Sequence, residues 1–179
     1  MFENAFRYLG LGVARFQFRS DVDTVQPLTT FFTGARSVLI MLPAGYEEAI
    51  VAGDAIHAFR NRLIHLNLTV VHTSTRATSL SDFPHSEVIR IGPTDVNRLY
   101  LPTKELLQRI IRRDYDAAVD LNLDFVLHTA YICKASRAKV RVGFVHPWSD
   151  TFFNVQFNLD KGRTPQVVYE KFAACLAMF

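Results

Sequence analysis

The chain has 179 residues, 49% of them hydrophobic and 21% charged, with 20 Lys and Arg against 17 Asp and Glu. That length and apolar content suffice for one domain whose core needs neither disulfides nor metal. The near balance of charge argues against a dedicated nucleic-acid binder, and no run of 18 apolar residues offers a spanning helix. Cys133 and Cys175 form no CxxC pair and read as free thiols in a reducing compartment.

Residues 1–35 read as an arm and connection, and 36–179 as the main domain. Phe2, Phe6, Leu9, Val13 and Phe16 follow helical spacing, which predicts a helix over 2–13 that Gly10 and Gly12 weaken by about 1 kcal/mol each. Arg15 to Arg19 alternates apolar and polar, the pattern of an edge strand. The opening lacks a basic region followed by an apolar run, so no secretory leader is expected. The expected location is cytoplasmic. The arm is expected to pack on the domain or on a second copy, or to lie as a basic amphipathic element on the inner face of a membrane.

After a polar connection holding Pro27 and Gly34, Ser37–Leu42 is an apolar run of buried-strand length, broken at Pro43-Ala44-Gly45-Tyr46. A helix is expected from Glu47 to about Leu66, with Ala49, Ala52, Ile56, Phe59, Leu63 and Leu66 on its apolar face and Glu47 and Glu48 at the positive end of its dipole. Leu68–His72 and Glu87–Ile91 read as strands on either side of a Ser/Thr-rich loop. A helix follows over 104–113, capped by Thr103. Its arginines, Arg109, Arg112 and Arg113, read as a solvated face. A strand lies within 115–121, an almost wholly apolar helix over 124–136, and another strand over 139–144. A last helix over 165–178 has Pro165 in its first turn behind Thr164.

Strand and helix thus alternate from 37 to 144. This pattern predicts an α/β fold, a Rossmann-like three-layer domain with a mainly parallel sheet and right-handed crossovers. In such a sheet the ligand crevice lies beyond the carboxyl ends of the strands. Those ends carry Gly45, Tyr46, Glu47 and Glu48 after the first strand, His72 after the second, Asn122 after the third buried one, and His146 and Trp148 after the last. Glu48, at a helix start, is the candidate base, set against a plain exposed or capping acid. His57 follows Asp54 by three residues but lies mid-helix. No metal and no cofactor are expected: the histidines lack ligand spacing, and there is no Walker loop, GxGxxG or GxSxG.

Three segments together resemble the N-terminal, acceptor-side half of the bacterial lipopolysaccharide heptosyltransferases, glycosyltransferase family nine. Ser37–Ile50 is similar to that family's opening strand, turn and helix. Asp114-Tyr115-Asp116-Ala117-Ala118-Val119-Asp120-Leu121-Asn122 resembles its "DYDxxIDLxxN" strand, and Lys139-Val140-Arg141-Val142-Gly143-Phe144 its "A+xRIGF" strand. Order and spacing agree over about 36–179. The resemblance implies one half of a GT-B glycosyltransferase. In the family a Gly-Asp pair supplies the base that activates the acceptor hydroxyl. Here Glu47 falls on that glycine and Glu48 on that aspartate, and the half that binds the nucleotide sugar is expected to be lacking. Three readings remain open: a non-catalytic binding or interaction module, acting as a homodimer through the Phe-rich arm and the apolar end Leu176–Phe179; a glycosyltransferase whose donor half comes from another chain or a second copy; and a nucleotide-binding or small-molecule regulator with His72, Asn122, His146 and Trp148 lining the crevice. The expected ligand is a sugar or nucleotide sugar, not nucleic acid.

Overall fold

The computed structural model describes residues 2–23, 34–58, 65–73, 85–158 and 162–176. In chain order the elements are α1 (Phe2–Gln17), β1 (Ser37–Met41), α2 (Tyr46–His57), β2 (Asn67–His72), β3 (Ser86–Arg90), α3 (Lys104–Ile110), β4 (Ala117–Asp120), α4 (Leu127–Ala135), β5 (Val140–Phe144), a 3-10 turn (Ser149–Thr151), β6 (Val155–Phe157) and α5 (Pro165–Leu176). The six strands form one sheet in the order β3-β2-β1-β4-β5-β6, and every pairing is parallel. The chain runs outward from β1 to β3, then returns to lay β4 on the other side of β1. This reversal creates the topological switch point where such sheets hold ligands.

The central strands are apolar on both faces because both faces are covered. Leu39, Met41, Val71 and Ala118 look toward α1, α3 and α4, where Leu106, Ile110, Ile132 and Phe152 pack. Val38, Ile40, Leu42, Val70, Val119 and Val142 look toward α2 and α5, where Ala52, Ile56, Tyr169 and Phe172 pack. Each fully buried Leu or Val of this kind contributes about 1.5–3 kcal/mol. The small residues of α2 (Ala49, Ala52, Gly53, Ala55) let it sit close to the sheet.

α1 departs from expectation. It runs unbroken to Gln17, and the alternation around Phe16 is not a strand. Leu11 and Ala14 are buried against the domain, and Phe18 reaches Tyr131 with ring centroids 4.9 Å apart. Gly10 marks where α1 meets another backbone: a Cβ there would lie 1.9 Å from the carbonyl oxygen of Leu99. Only glycine permits that approach. Past α1, Asp23 pairs with Lys134 at 3.1 Å and with Arg141. Both cations are buried. They line an open cleft at the amino-terminal end of β5, together with Arg137 and Lys139.

Strand β6 was not expected; it is three residues long and reached from β5 through the 3-10 turn. α2 is followed as far as His57; Phe59 and Leu63 lie outside the described residues, as do Pro27, most of the Ser/Thr-rich loop and 177–179. Thr103 caps α3, its hydroxyl accepting the Leu106 amide at 3.3 Å. The arginines of α3 and its exit are exposed but paired, Arg109 with Asp95, Arg112 and Arg113 with Glu87. Among the described residues no helix is long and apolar enough to cross a membrane.

Candidate functional site

The crevice is built from the turn after β1 and the end of β4. Strand β1 closes with Leu42, whose amide donates to the Val71 carbonyl at 2.8 Å. Pro43 and Ala44 then turn the chain into α2. Gly45 is its N-cap, extended at φ −72 and ψ 133, and no side chain caps the helix. Glu47 and Glu48 occupy the first turn. Two carboxylates at the positive end of the dipole satisfy it electrostatically and repel phosphate, so this turn is not a phosphate cradle. Tyr46 and Glu47 are exposed and Glu48 is half-buried. The Glu48 carboxyl folds back over the turn, 3.8 Å from where a Gly45 Cβ would stand.

Across the switch point, Asn122 stitches the two strand ends together. Its Oδ1 accepts the Ala44 amide at 3.0 Å. Its Nδ2 donates to Asp120 Oδ1 at 2.6 Å and to Thr129 Oγ1 at 3.3 Å. The Asn122 Nδ2 group is therefore committed within the protein. Asp120 is 3% exposed. Burial pushes its carboxyl up to about 6, against the opposing hydrogen bonds from Asn122 and Thr129. Thr129 Oγ1 lies 2.8 Å from Asp120 Oδ2 and 3.0 Å from the Val126 carbonyl. One hydroxyl proton cannot serve both acceptors. When Asp120 is ionised Thr129 donates to it; when Asp120 is protonated it can donate to Thr129, freeing the hydroxyl proton for the Val126 carbonyl.

α5 forms the floor on this side. Tyr169 donates to the Leu121 carbonyl at 2.8 Å. Its phenol is pushed well above the ordinary value by burial, and further by the negative charges of Glu48 and Asp120. Glu48 and Asp120 therefore act on one point from two strand ends.

A second part of the crevice lies on the opposite face of the sheet. A cleft of about 250 Å³ is lined by Asn4, Arg7, Tyr8 and Leu11 of α1, by Phe125 and Leu127, and by His146, Pro147 and Trp148. The loop after β5 is fixed by Ser149, whose hydroxyl accepts the His146 amide at 3.0 Å and donates to the Phe144 carbonyl at 2.9 Å. Trp148 takes a left-handed backbone at φ 83 and is 44% exposed. Such a conformation is uncommon and strained in a bulky residue. The Arg15 guanidinium lies 5.2 Å over its ring, and Arg7 donates to the Phe125 carbonyl. The His146 ring meets Phe125 edge-on at 6.3 Å, and its buried Nε2 has no hydrogen-bond partner among the described residues.

The expected residues thus separate. Gly45, Tyr46, Glu47, Glu48 and Asn122 gather at the switch point on the α2 side. His146 and Trp148 gather in the α1 cleft. His72 is buried at the end of β2, its carbonyl accepting the Ile91 amide, and lines neither. His57 sits in the last turn of α2, away from the strand ends. Asp120, Thr129 and the α1 residues were not anticipated. An acid inside a buried strand is itself a signal, since unpaired carboxylates are rarely buried. The α1 contribution depends on tertiary docking, which no strand-end rule contains. Among the described residues no group of His, Cys, Asp or Glu could hold a metal.

No protein-family model matches the sequence, and no curated protein matches it either. Solved structures match the fold, among them two glycosyltransferases. One is the Escherichia coli heptosyltransferase WaaC with ADP, 15% identical, with a TM-score of 0.57 over 78% of this chain and 46% of that one. The other is a family nine glycosyltransferase from Veillonella parvula DSM 2008, 14% identical, with a TM-score of 0.60 over 80% of this chain and 42% of that one. The chain spans less than half the length of each. Its fold, a Rossmann-like parallel sheet between helices, matches that of one half of a GT-B glycosyltransferase.

Proposed function

We propose that this domain is a non-catalytic binding module built on the acceptor-side half of the heptosyltransferase scaffold, and that it takes a sugar or glycan in the α1 cleft. The observation that carries this reading is the composition of that cleft. Tyr8, Phe125 and Trp148 offer aromatic surface, while Asn4, Arg7 and His146 offer polar groups, and none of Gly45 to Glu48 lines it. Sugars bind where aromatic surface meets a few convergent hydrogen-bonding groups. The candidate base therefore stands apart from the surface best suited to hold a ligand.

Trp148 is the chain's single tryptophan, so its fluorescence reports the cleft directly. Titration with lipopolysaccharide-core oligosaccharides is expected to change that signal saturably, and Arg7→Ala to weaken the change at least tenfold. An unchanged signal across the oligosaccharides sinks the proposal. The second reading, a transferase whose donor half comes from another chain, draws on Glu48 at the switch point within electrostatic reach of Tyr169. Sugar transfer from a nucleotide carrier that Glu48→Gln abolishes would favour it instead.

A further inference from the structure

We propose that the cleft at the amino-terminal end of β5 binds a phosphate monoester, in an anion seat that the chain's own Asp23 fills in this structure. The cleft stands at the other end of the strands from the crevice and shares no lining residue with the α1 cleft. The inference therefore goes beyond the sugar-binding reading and does not rest on it.

The seat is made by two buried cations. The side chains of Lys134 and Arg141 are 6% and 5% exposed, and both converge on one carboxylate. Burying two cations side by side is costly unless an anion accompanies them. Arg141 is fixed without help from Asp23. Its Nε donates to the Phe152 carbonyl at 2.9 Å and its Nη1 to the Ala138 carbonyl at 2.8 Å, which turns Nη2 toward Asp23. Lys134 comes from the last turn of α4, and its Nζ donates to Asp23 Oδ1 at 3.1 Å. α4 and β5 thus build the seat, and the segment after α1 delivers the anion.

Asp23 is an incomplete occupant. It brings one negative charge to two cations. Arg137 and Lys139 stand exposed in the same cleft and pair with no acid among the described residues. Asp21 is the other acid that lines it, so four cations face two carboxylates.

The tether selects the ligand. A ligand carboxylate offers no more than Asp23 does, and must displace a group held at a roughly millimolar effective concentration. A phosphate monoester carries about two charges and three acceptor oxygens. Two oxygens take the places of Asp23 Oδ1 and Oδ2, and the third is left for Arg137 or Lys139 at the rim. Charge-assisted bonds from Arg and Lys are the strong ones for phosphate. The cleft, about 440 Å³, lies within the roughly 300–1,000 Å³ of small-molecule sites, which leaves room for the group that the phosphate esterifies.

Asp23→Asn keeps the shape of the seat and removes its charge. Isothermal titration at about pH 7.5, where phosphate is mainly the dianion, compares this variant with the wild type, with chloride matching ionic strength. Inorganic phosphate is expected to bind Asp23→Asn at least tenfold more tightly than the wild type, and a hexose phosphate at least as tightly as inorganic phosphate. Adding Arg137→Ala and Lys139→Ala to Asp23→Asn should weaken both at least fivefold. No binding by Asp23→Asn, equal binding by the wild type, indifference to the loss of Arg137 and Lys139, or a response that chloride reproduces overturns the proposal. Rejection of the hexose phosphate with retention of inorganic phosphate overturns the ester and assigns the seat to the free ion. Should Asp23→Asn not fold, the wild-type chain decides. Phosphate at about 50 mM, well above the roughly millimolar tether, should raise its Tm beyond matched chloride, and Arg137→Ala with Lys139→Ala should abolish the excess; a wild type with no excess overturns the proposal equally.

Discussion

Replacing Asp23 by asparagine keeps the side chain's size and removes the carboxylate that Lys134 and Arg141 share. Both cations are about 5% exposed, and Asp23 itself is 35% exposed in an open cleft. Breaking a fully buried ion pair costs about 3–5 kcal/mol. Solvent in the cleft screens part of that, and Arg141 keeps its bonds to the Phe152 and Ala138 carbonyls at 2.9 and 2.8 Å. The expected loss for Asp23→Asn is therefore about 2 kcal/mol at pH 7, a fall in Tm of roughly 4–8 °C for a chain of this size. Urea unfolding followed by circular dichroism measures it. Adding Lys134→Met to Asp23→Asn removes the stranded charge and should recover about half of the loss. Burial pulls the Asp23 carboxyl upward, but the hydrogen bonds and charges of Arg141 and Lys134 outweigh it and hold it below the ordinary value of 3.8. A depressed folded value contributes stability that is present above the unfolded value and lost as pH falls through the folded one. The gap between wild type and Asp23→Asn should accordingly close below about pH 4. A loss under about 0.5 kcal/mol at pH 7, the scale of an ordinary surface substitution, or a gap that persists in acid, would refute the reasoning.

Asp120 titrates in the opposite sense. Its folded value, about 6, lies above the ordinary 3.8, so the stability it contributes is complete below 3.8 and declines as pH rises through 6, by about 2–3 kcal/mol. Asp120→Asn should flatten that decline in urea unfolding measured from pH 4 to 7; an identical slope in the variant would contradict the assignment. Gly10→Ala places a Cβ against the Leu99 carbonyl, at 1.9 Å in the present geometry, and should lift α1 from the domain at a cost of about 2–4 kcal/mol. Hydrogen exchange then reports α1 amides losing protection while β1 and β4 keep theirs, and unchanged protection in α1 would be the contrary result.

The sheet was legible because its strands are buried on both faces and therefore read as unbroken apolar runs, Val38–Leu42 above all. β6 was not, since Val155–Phe157 is three half-buried residues with no run to detect. Arg15 to Arg19 alternates like a strand, yet the segment is helical through Gln17 because Leu11, Ala14 and Phe18 gain burial only in that register. Gly10 looked like a weakness in a helix; it is the point of contact. At the crevice, the strand-end rule named Glu48, Asn122, His146 and Trp148 as candidates, but not on which side of the sheet each would lie. That division follows from the alternation of side chains across the strands and from the docking of α1, and the second of these is a long-range packing fact.

An all-parallel sheet leaves its two outermost strands with unpaired backbone, open to sheet-on-sheet growth between molecules. β3, on one flank, carries Glu87 clamped by Arg112 and Arg113, with Arg90 three residues on; joining another strand there would desolvate those charges. β6, on the other flank, is too short to template a partner of useful length. Fibrous growth is thus discouraged on both flanks, which leaves helical surfaces as the safer route by which one molecule can recognise another.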